Sequence, residues 1–169
     1  ACDRPRPAIH LVGDTMGTRY SVKVIGPGAI EPESLQNRIE ELLTAINGTM
    51  STYDPNSELS RLNRNSATDW IDVSDQLYTV LEVAMRIGRA TGGAFDITIG
   101  PLVNLWGFGP EPGARTVPDI AAIESARQRV GIDKLLLRAS PTAVRKRRGD
   151  VYIDLSAIAK GYAVDQIAA

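Results

Sequence analysis

Two stripes of apolar residues at helical spacing constrain this chain more than any other feature. Leu35, Ile39, Leu42, Leu43 and Ile46 fall at i, i+4, i+7, i+8 and i+11, which predicts an amphipathic helix from about Glu33. Leu77, Val80, Leu81, Ala84 and Ile87 predict a second, from about Asp75 to Ala90, opened by Ser74 and with all five facing inward. Asn47-Gly48 and Gly92-Gly93 supply left-handed-tolerant residues to end them. Each stripe has to be covered by something else in the fold. Before the first helix, Tyr20, Val22 and Val24 alternate with Arg19, Ser21 and Lys23, a half-buried strand over Thr18–Ile25 stopped by Gly26-Pro27-Gly28.

After the second helix the pattern becomes shorter and mixed. Ala94 to Pro101 reads as strand-like, and Leu102 to Phe108 is an apolar stretch carrying Trp106. Pro110 to Pro118 is a Gly/Pro loop, and a third helix runs from about Ile120 to Val130 between Asp119 and Gly131. Residues 134–155 read as a meander of strands at Lys134–Arg138, Thr142–Lys146 and Val151–Leu155, with turns at Ser140-Pro141 and Gly149-Asp150. Ser156 caps a last helix carrying Ile158, Val164 and Ile167. That order is no regular βα alternation, so the fold class is α+β, a mixed or antiparallel sheet with packed helices. The 169 residues supply one domain with a real core. The last helix reaches Ala169 without a glycine, a cationic turn or a polar tail, so we expect a piece of a longer chain.

Charge and rare residues narrow the chemistry. Nineteen basic against 20 acidic side chains leave a formal charge of -1, which argues against nucleic acid as a partner. No run approaches the roughly 20 apolar residues of a membrane helix. A single cysteine, Cys2, allows no internal disulfide, and Cys2 with the single histidine, His10, cannot build a tetrahedral zinc centre. His10 follows the Pro-rich leader Arg4-Pro5-Arg6-Pro7, a poor platform for a positioned base. What remains is chemistry with carboxylates, lysine, tyrosine, hydroxyls and a hard cation, Mg²⁺ or Ca²⁺, on oxygen ligands. Residues 1–10 read as an extended tether. Cys2 at its head is either an unpaired surface thiol or the lipid-attachment cysteine of a mature bacterial lipoprotein.

Four stretches are candidates for a site. Val151 to Leu155 delivers Asp154 to the opening of a helix whose N–H groups and dipole favour an anion, with Lys160 about one turn in. The plain alternative is a capped helix with Lys160 in solvent. Gly92-Gly93-Ala94-Phe95-Asp96 brings backbone close to a ligand, or is a helix C-cap followed by a strand with one exposed acid. The polar segment Met50–Glu58 must be exposed or lining something; its Tyr53 is a stacking platform or a surface phenol. Arg145-Lys146-Arg147-Arg148 reads as a solvated turn, with a docking patch as the lesser reading. Gly107-Phe108-Gly109-Pro110 lacks the third glycine and the following helix of a dinucleotide fingerprint.

Taken in order, Thr15-Met16-Gly17-Thr18, Met50-Ser51-Thr52-Tyr53 with Asn56-Ser57-Glu58-Leu59-Ser60, Gly93-Ala94-Phe95-Asp96 with Gly100-Pro101-Leu102-Val103-Asn104-Leu105-Trp106-Gly107-Phe108-Gly109, and Asp154-Leu155-Ser156-Ala157-Ile158-Ala159-Lys160-Gly161 resemble the ApbE family of FAD:protein FMN transferases. The resemblance implies a T-fold-related domain, with residues 1–12 as a tether and 13–169 as the N-terminal part of the flavin transferase domain. It implies that Met16, Tyr53, Ala94, Phe95, Asp96, Asp154 and Lys160 contact FAD, Tyr53 beside the isoalloxazine. It implies that the main-chain oxygen of Ala157 is a Mg²⁺ ligand. The activity implied is transfer of FMN from FAD to a Thr or Ser hydroxyl of a target protein, with AMP leaving. The implied targets are flavin-carrying subunits of membrane redox complexes.

The family's later Asp/Thr metal segment and catalytic-His segment have no counterpart before Ala169, so no catalytic residue is assigned. The expectation is weak FAD binding without efficient transfer by these residues alone. If Cys2 is acylated, Asp3 beside it suggests retention at the inner membrane and a periplasmic location. Two further readings stand beside transfer. One is hydrolysis of FAD to FMN and AMP; the other is a non-catalytic, lipid-tethered flavin-binding domain.

Overall fold

The computed structural model describes residues 7–110 and 116–169. Cys2, Asp3 and part of the Gly/Pro loop lie outside the described residues. Strands β1 (Ala8–Thr15) and β2 (Thr18–Ile25) form an antiparallel hairpin with Thr15 opposite Thr18. Its turn, Met16-Gly17, has φ of 49° and 68°. Positive φ at both central residues matches the twist of a two-residue hairpin, and glycine at the second place removes half the strain. The sequence reading ended the tether near residue 12, but Ala8–Val12 is ladder. Ile9 and Leu11 alternate with exposed His10 and Val12, a period that the prolines before them obscure.

Helix α1 (Pro32–Met50) presents Ile39, Leu43, Ile46 and Met50 to the core. It runs through Asn47-Gly48 instead of ending there, because burying Met50 carries the helix one turn further. Helix α2 (Glu58–Arg64) is a two-turn element that periodicity over so few residues did not reveal. Strand β3 (Trp70–Asp72) is three residues long and equally silent. Helix α3 (Asp75–Ala90) begins as expected, with Ser74 Oγ accepting from Leu77 N. Leu77, Val80, Leu81 and Ala84 are buried, but Ile87 is not; Met85 and Gly88 take the inner face instead.

The strand-like reading of residues 94–101 is replaced by a 3₁₀ turn (Ile97–Ile99) leading into α4 (Gly100–Leu105). Asp96 explains the difference: its Oδ1 accepts from Thr98 N at 2.7 Å and starts the turn, and Pro101 suits a first helical turn. Helix α5 (Ile120–Arg127) is capped by Asp119, as read. Strands β4 (Leu135–Ala139) and β5 (Thr142–Lys146) join β3 in an antiparallel sheet of order β3-β5-β4, separate from the hairpin.

Residues 151–155 belong to neither sheet. They run between the other elements with Val151, Ile153 and Leu155 buried and Tyr152 and Asp154 half-buried. The alternation of a strand is there; the ladder is not. Helix α6 (Ala159–Ala168) starts later than expected, at Ala159, with no side-chain cap from Ser156. Ser156 N is instead taken by Asp154 Oδ1 at 2.7 Å, an Asp-headed turn that postpones the helix. One core joins α1, α2, α3, β5, the 151–155 run and α6.

The basic run at 145–148 is not all solvated. Lys146 is fully buried, and its ammonium donates to Leu62 O (3.2 Å), Gly149 O (3.2 Å) and Asn65 O. Two of these carbonyls close α2, where a cation offsets the helix dipole. The pleat explains the mistake: Val144 and Lys146 cannot both face water when Arg145 does, and only the long lysine stem lets an ammonium cross the core to polar backbone.

Burial lowers the pKa of Lys146 below its ordinary 10.5, partly opposed by Asp150. The folded chain therefore releases this proton at lower pH than the unfolded chain. Stability must rise with pH between that lowered value and 10.5, with a slope of at most about 1.4 kcal/mol per pH unit. We predict that the urea midpoint of the parent chain gains on that of Lys146→Met as the pH rises toward 10.5. A difference that stays constant up to that pH contradicts the lowered pKa.

Candidate functional site

Four stretches far apart in sequence meet around a cavity of about 1200 Å³. Sites for drug-sized ligands span roughly 300–1,000 Å³, so this space suits a dinucleotide-sized molecule. The hairpin turn brings Met16 to one wall, and Asn47 Nδ2 ties it to α1 through Thr15 Oγ1 at 3.4 Å. Ser51 to Asp54 form a second wall. Two buried hydroxyls hold it: Ser57 Oγ donates to Ser51 O (2.5 Å), and Ser60 Oγ donates to Ser51 O (3.0 Å). Tyr53 stands 64% exposed at the rim, its hydroxyl donating to Phe108 O at 2.9 Å. The phenol is held by one backbone carbonyl and leaves its ring open to a ligand.

The third wall follows α3. Gly92 and Gly93 have φ of 60° and 86°, a geometry that turns the chain back so that Ala94, Phe95 and Asp96 reach the cavity. Thr91 Oγ1 accepts from Phe95 N at 3.2 Å. Asp96 Oδ1 also accepts from Thr98 Oγ1 (2.6 Å), and that hydroxyl accepts from Gly131 N (2.7 Å). The fourth wall is Asp154, Ser156, Ala157, Ala159 and Lys160. Its link to the third is direct: Asp154 N donates to Ile97 O at 2.8 Å. A Cβ on Gly100 would lie 2.3 Å from the Tyr152 ring, so the start of α4 and the 151–155 run are in close contact.

All eight candidate residues line this one cavity: Met16, Tyr53, Ala94, Phe95, Asp96, Asp154, Ala157 and Lys160. Asn47, Ser51, Thr52, Asp54, Ser156 and Phe108 join them without having been singled out. The signal for Asp54 was the polar, aperiodic loop around Tyr53, which was required to be exposed or lining something. His10 is elsewhere, on β1, with Nε2 2.8 Å from Ser21 Oγ on the exposed hairpin. Lys160 lies in the first turn of α6, closer to its start than the spacing from Ser156 suggested.

The lining carries three carboxylates, Asp54, Asp96 and Asp154, against the single ammonium of Lys160, which forms no ion pair among the described residues. Each carboxylate uses Oδ1 to accept the N–H two residues on: Asn56 (2.8 Å), Thr98 (2.7 Å) and Ser156 (2.7 Å). That fixes each carboxylate and leaves its other oxygen for a ligand. An anion entering such a lining needs positive charge beyond one lysine. Among the described residues no three His, Cys, Asp or Glu side chains are placed to hold a metal, so a purely protein-held ion is not supported. Mg²⁺ is commonly held by one or two protein oxygens, waters and substrate phosphates. The Ala157 carbonyl fits that role. The α6 ladder begins one residue later, with Tyr162 N on Ile158 O at 3.0 Å, so this carbonyl stands ahead of the helix.

The sequence and the fold both have close counterparts. The chain is 43% identical over 168 residues to a FAD:protein FMN transferase of Vibrio cholerae, covering 99% of this chain and 50% of that one. It is 42% identical to the protein of the same name from Haemophilus influenzae, with the same coverage of each. Among solved structures it matches the flavin transferase ApbE from Vibrio cholerae with a TM-score of 0.92, over 97% of this chain and 53% of that one. The apo form of the Pseudomonas stutzeri flavinyl transferase ApbE is 31% identical, with a TM-score of 0.87 over 96% of this chain and 52% of that one. The chain thus spans about half the length of the curated relatives it matches. The family pattern runs over residues 16–169, from the hairpin turn through all four walls of the cavity, and the chain belongs to the ApbE family.

Proposed function

We propose that this chain forms the flavin-nucleotide cavity of a Mg²⁺-dependent FAD:protein FMN transferase. The observation that carries the reading is the convergence of all eight candidate residues on one dinucleotide-sized cavity whose acid-rich lining calls for a cation with any diphosphate. Tyr53 offers an exposed ring for the isoalloxazine to stack on. Asp96 and Asp154, each oriented by one bonded oxygen, accept donors from the nucleotide or a cation with the other. Lys160, in the first turn of α6, would set its ammonium against the diphosphate. Ala157 O and a neighbouring carboxylate would hold Mg²⁺, which neutralises charge on the phosphoryl oxygens when bound.

In the proposed reaction the hydroxyl oxygen of a target Thr or Ser attacks the FMN-side phosphorus in line with the bridging oxygen. A new P–O bond forms, the diphosphate bridge breaks, and AMP departs with the electron pair while the hydroxyl proton passes to solvent or base. The contribution of this cavity is to orient the diphosphate and keep the flavin fixed. The target would be a flavin-carrying subunit of a membrane redox complex. Acylation at Cys2 would keep the protein on the periplasmic side of the inner membrane, near such a target.

Three outcomes are expected. Asp154→Ala and Lys160→Ala each weaken FAD binding at least about tenfold by calorimetry, and full affinity in both contradicts the flavin site. Chelation with EDTA lowers the FAD affinity of the parent chain, because three carboxylates then face the diphosphate; affinity that is indifferent to EDTA rules out the metal. With FAD and Mg²⁺, a polypeptide spanning the whole length of the ApbE relatives releases AMP in step with covalent flavin on a target protein, while the 169 residues alone transfer inefficiently. AMP without a target would favour FAD hydrolysis, and bound FAD without AMP a non-catalytic flavin domain.

A further inference from the structure

Asp154 sits on a run of chain that no sheet holds, yet its side chain must point into the cavity while its neighbours Ile153 and Leu155 point into the core. The alternation has a period of two, so a slip of one residue would send the carboxylate into the core and an apolar side chain into the cavity. Something must fix that register. On one side, Asp154 N is held by Ile97 O at 2.8 Å.

On the other side stands Asn63, in the last turns of α2. Its Nδ2 donates to Ile153 O at 2.8 Å and its Oδ1 accepts from Ile153 N at 2.8 Å. The side-chain amide thus gives Ile153 the paired donor and acceptor that a neighbouring strand would give. Few side chains can do this: leucine offers neither group, and aspartate sets a carboxylate oxygen against the Ile153 carbonyl. Lys146 braces the same turn from within, its ammonium on Leu62 O and Asn65 O on either side of Asn63. Asn63 itself is not part of the cavity lining.

We propose that Asn63 is a positioning residue for the flavin site, acting through Asp154 by fixing the register of the 151–155 run. The proposal rests on the reading of Asp154 as a group that contacts FAD. It makes a specific demand: the effect of losing Asn63 must depend on the presence of the Asp154 carboxylate.

The test is a double-mutant cycle read as FAD affinity in the presence of Mg²⁺, at a temperature where circular dichroism shows every variant folded. Asn63→Leu is expected to weaken binding about tenfold or more in the parent chain, and by less than about twofold in the Asp154→Ala background. If Asn63→Leu does not fold, Asn63→Asp, with its volume and one acceptor kept, enters the same cycle with the same expectation. Equal weakening in both backgrounds means a general loss of structure and overturns the proposal while leaving the flavin reading intact. Unchanged affinity in Asp154→Ala alone overturns the reading of that carboxylate, and the positioning role with it.

Discussion

The hydrogen bond from Asp154 N to Ile97 O is the contact on which the site depends, because it joins two walls that secondary structure leaves unconnected. The Ile97–Ile99 turn and the 151–155 run each lie outside the two sheets. Asp96 heads the turn and Asp154 lies on the run, and both segments bury apolar neighbours in the same core: Ile97 on one side, Ile153 and Leu155 on the other. Burial of those side chains supplies the adhesion, and the backbone bond supplies the alignment. Directional bonds add little net stability but penalise every arrangement that leaves them unmade. The result is two carboxylates held at a relative position that neither segment could set alone.

The electrostatics of the cavity have a consistent logic. Each lining aspartate is anchored by one oxygen in a local turn, so none needs a lysine or arginine partner to stay oriented. Among the described residues, the arginines that form ion pairs do so elsewhere, as Arg148 does with Asp150 and Arg138 with Asp72. The lining is thereby left with an excess of negative charge, three carboxylates against the one ammonium of Lys160. A buried cation does appear in the molecule, but at Lys146, where it secures α2 and not the ligand.

Local chemistry was legible wherever one residue sets its own surroundings. Ser74 and Asp119 cap their helices as read, Gly92-Gly93 end α3, and Thr18–Ile25 is a strand with the expected bounds. Where the reading differed, the core or a side chain's own bonding had outweighed the pattern. Met50 drew α1 through Asn47-Gly48 for the sake of the core, and Asp96 replaced a strand by a 3₁₀ turn through its bonds to Thr98. Lys146 left a basic run for the interior because the carbonyls ending α2 stand there. Those carbonyls lie far outside the sequence window in which the preference is read.

The sequence by itself determined the α+β class and the two long helices, and its resemblance to the ApbE family singled out the tyrosine, aspartates, lysine and backbone carbonyl as candidates. The class and the helices follow from side-chain type and short-range spacing, which the linear order carries in full. Tertiary structure alone decided that Met16, Tyr53, Asp96 and Asp154 share one cavity, and that Asp54 joins them. It alone recruited Asn63 as the partner of Ile153. Such choices depend on which carbonyls and amides remain unpaired once the core has closed, and only the packed chain defines those.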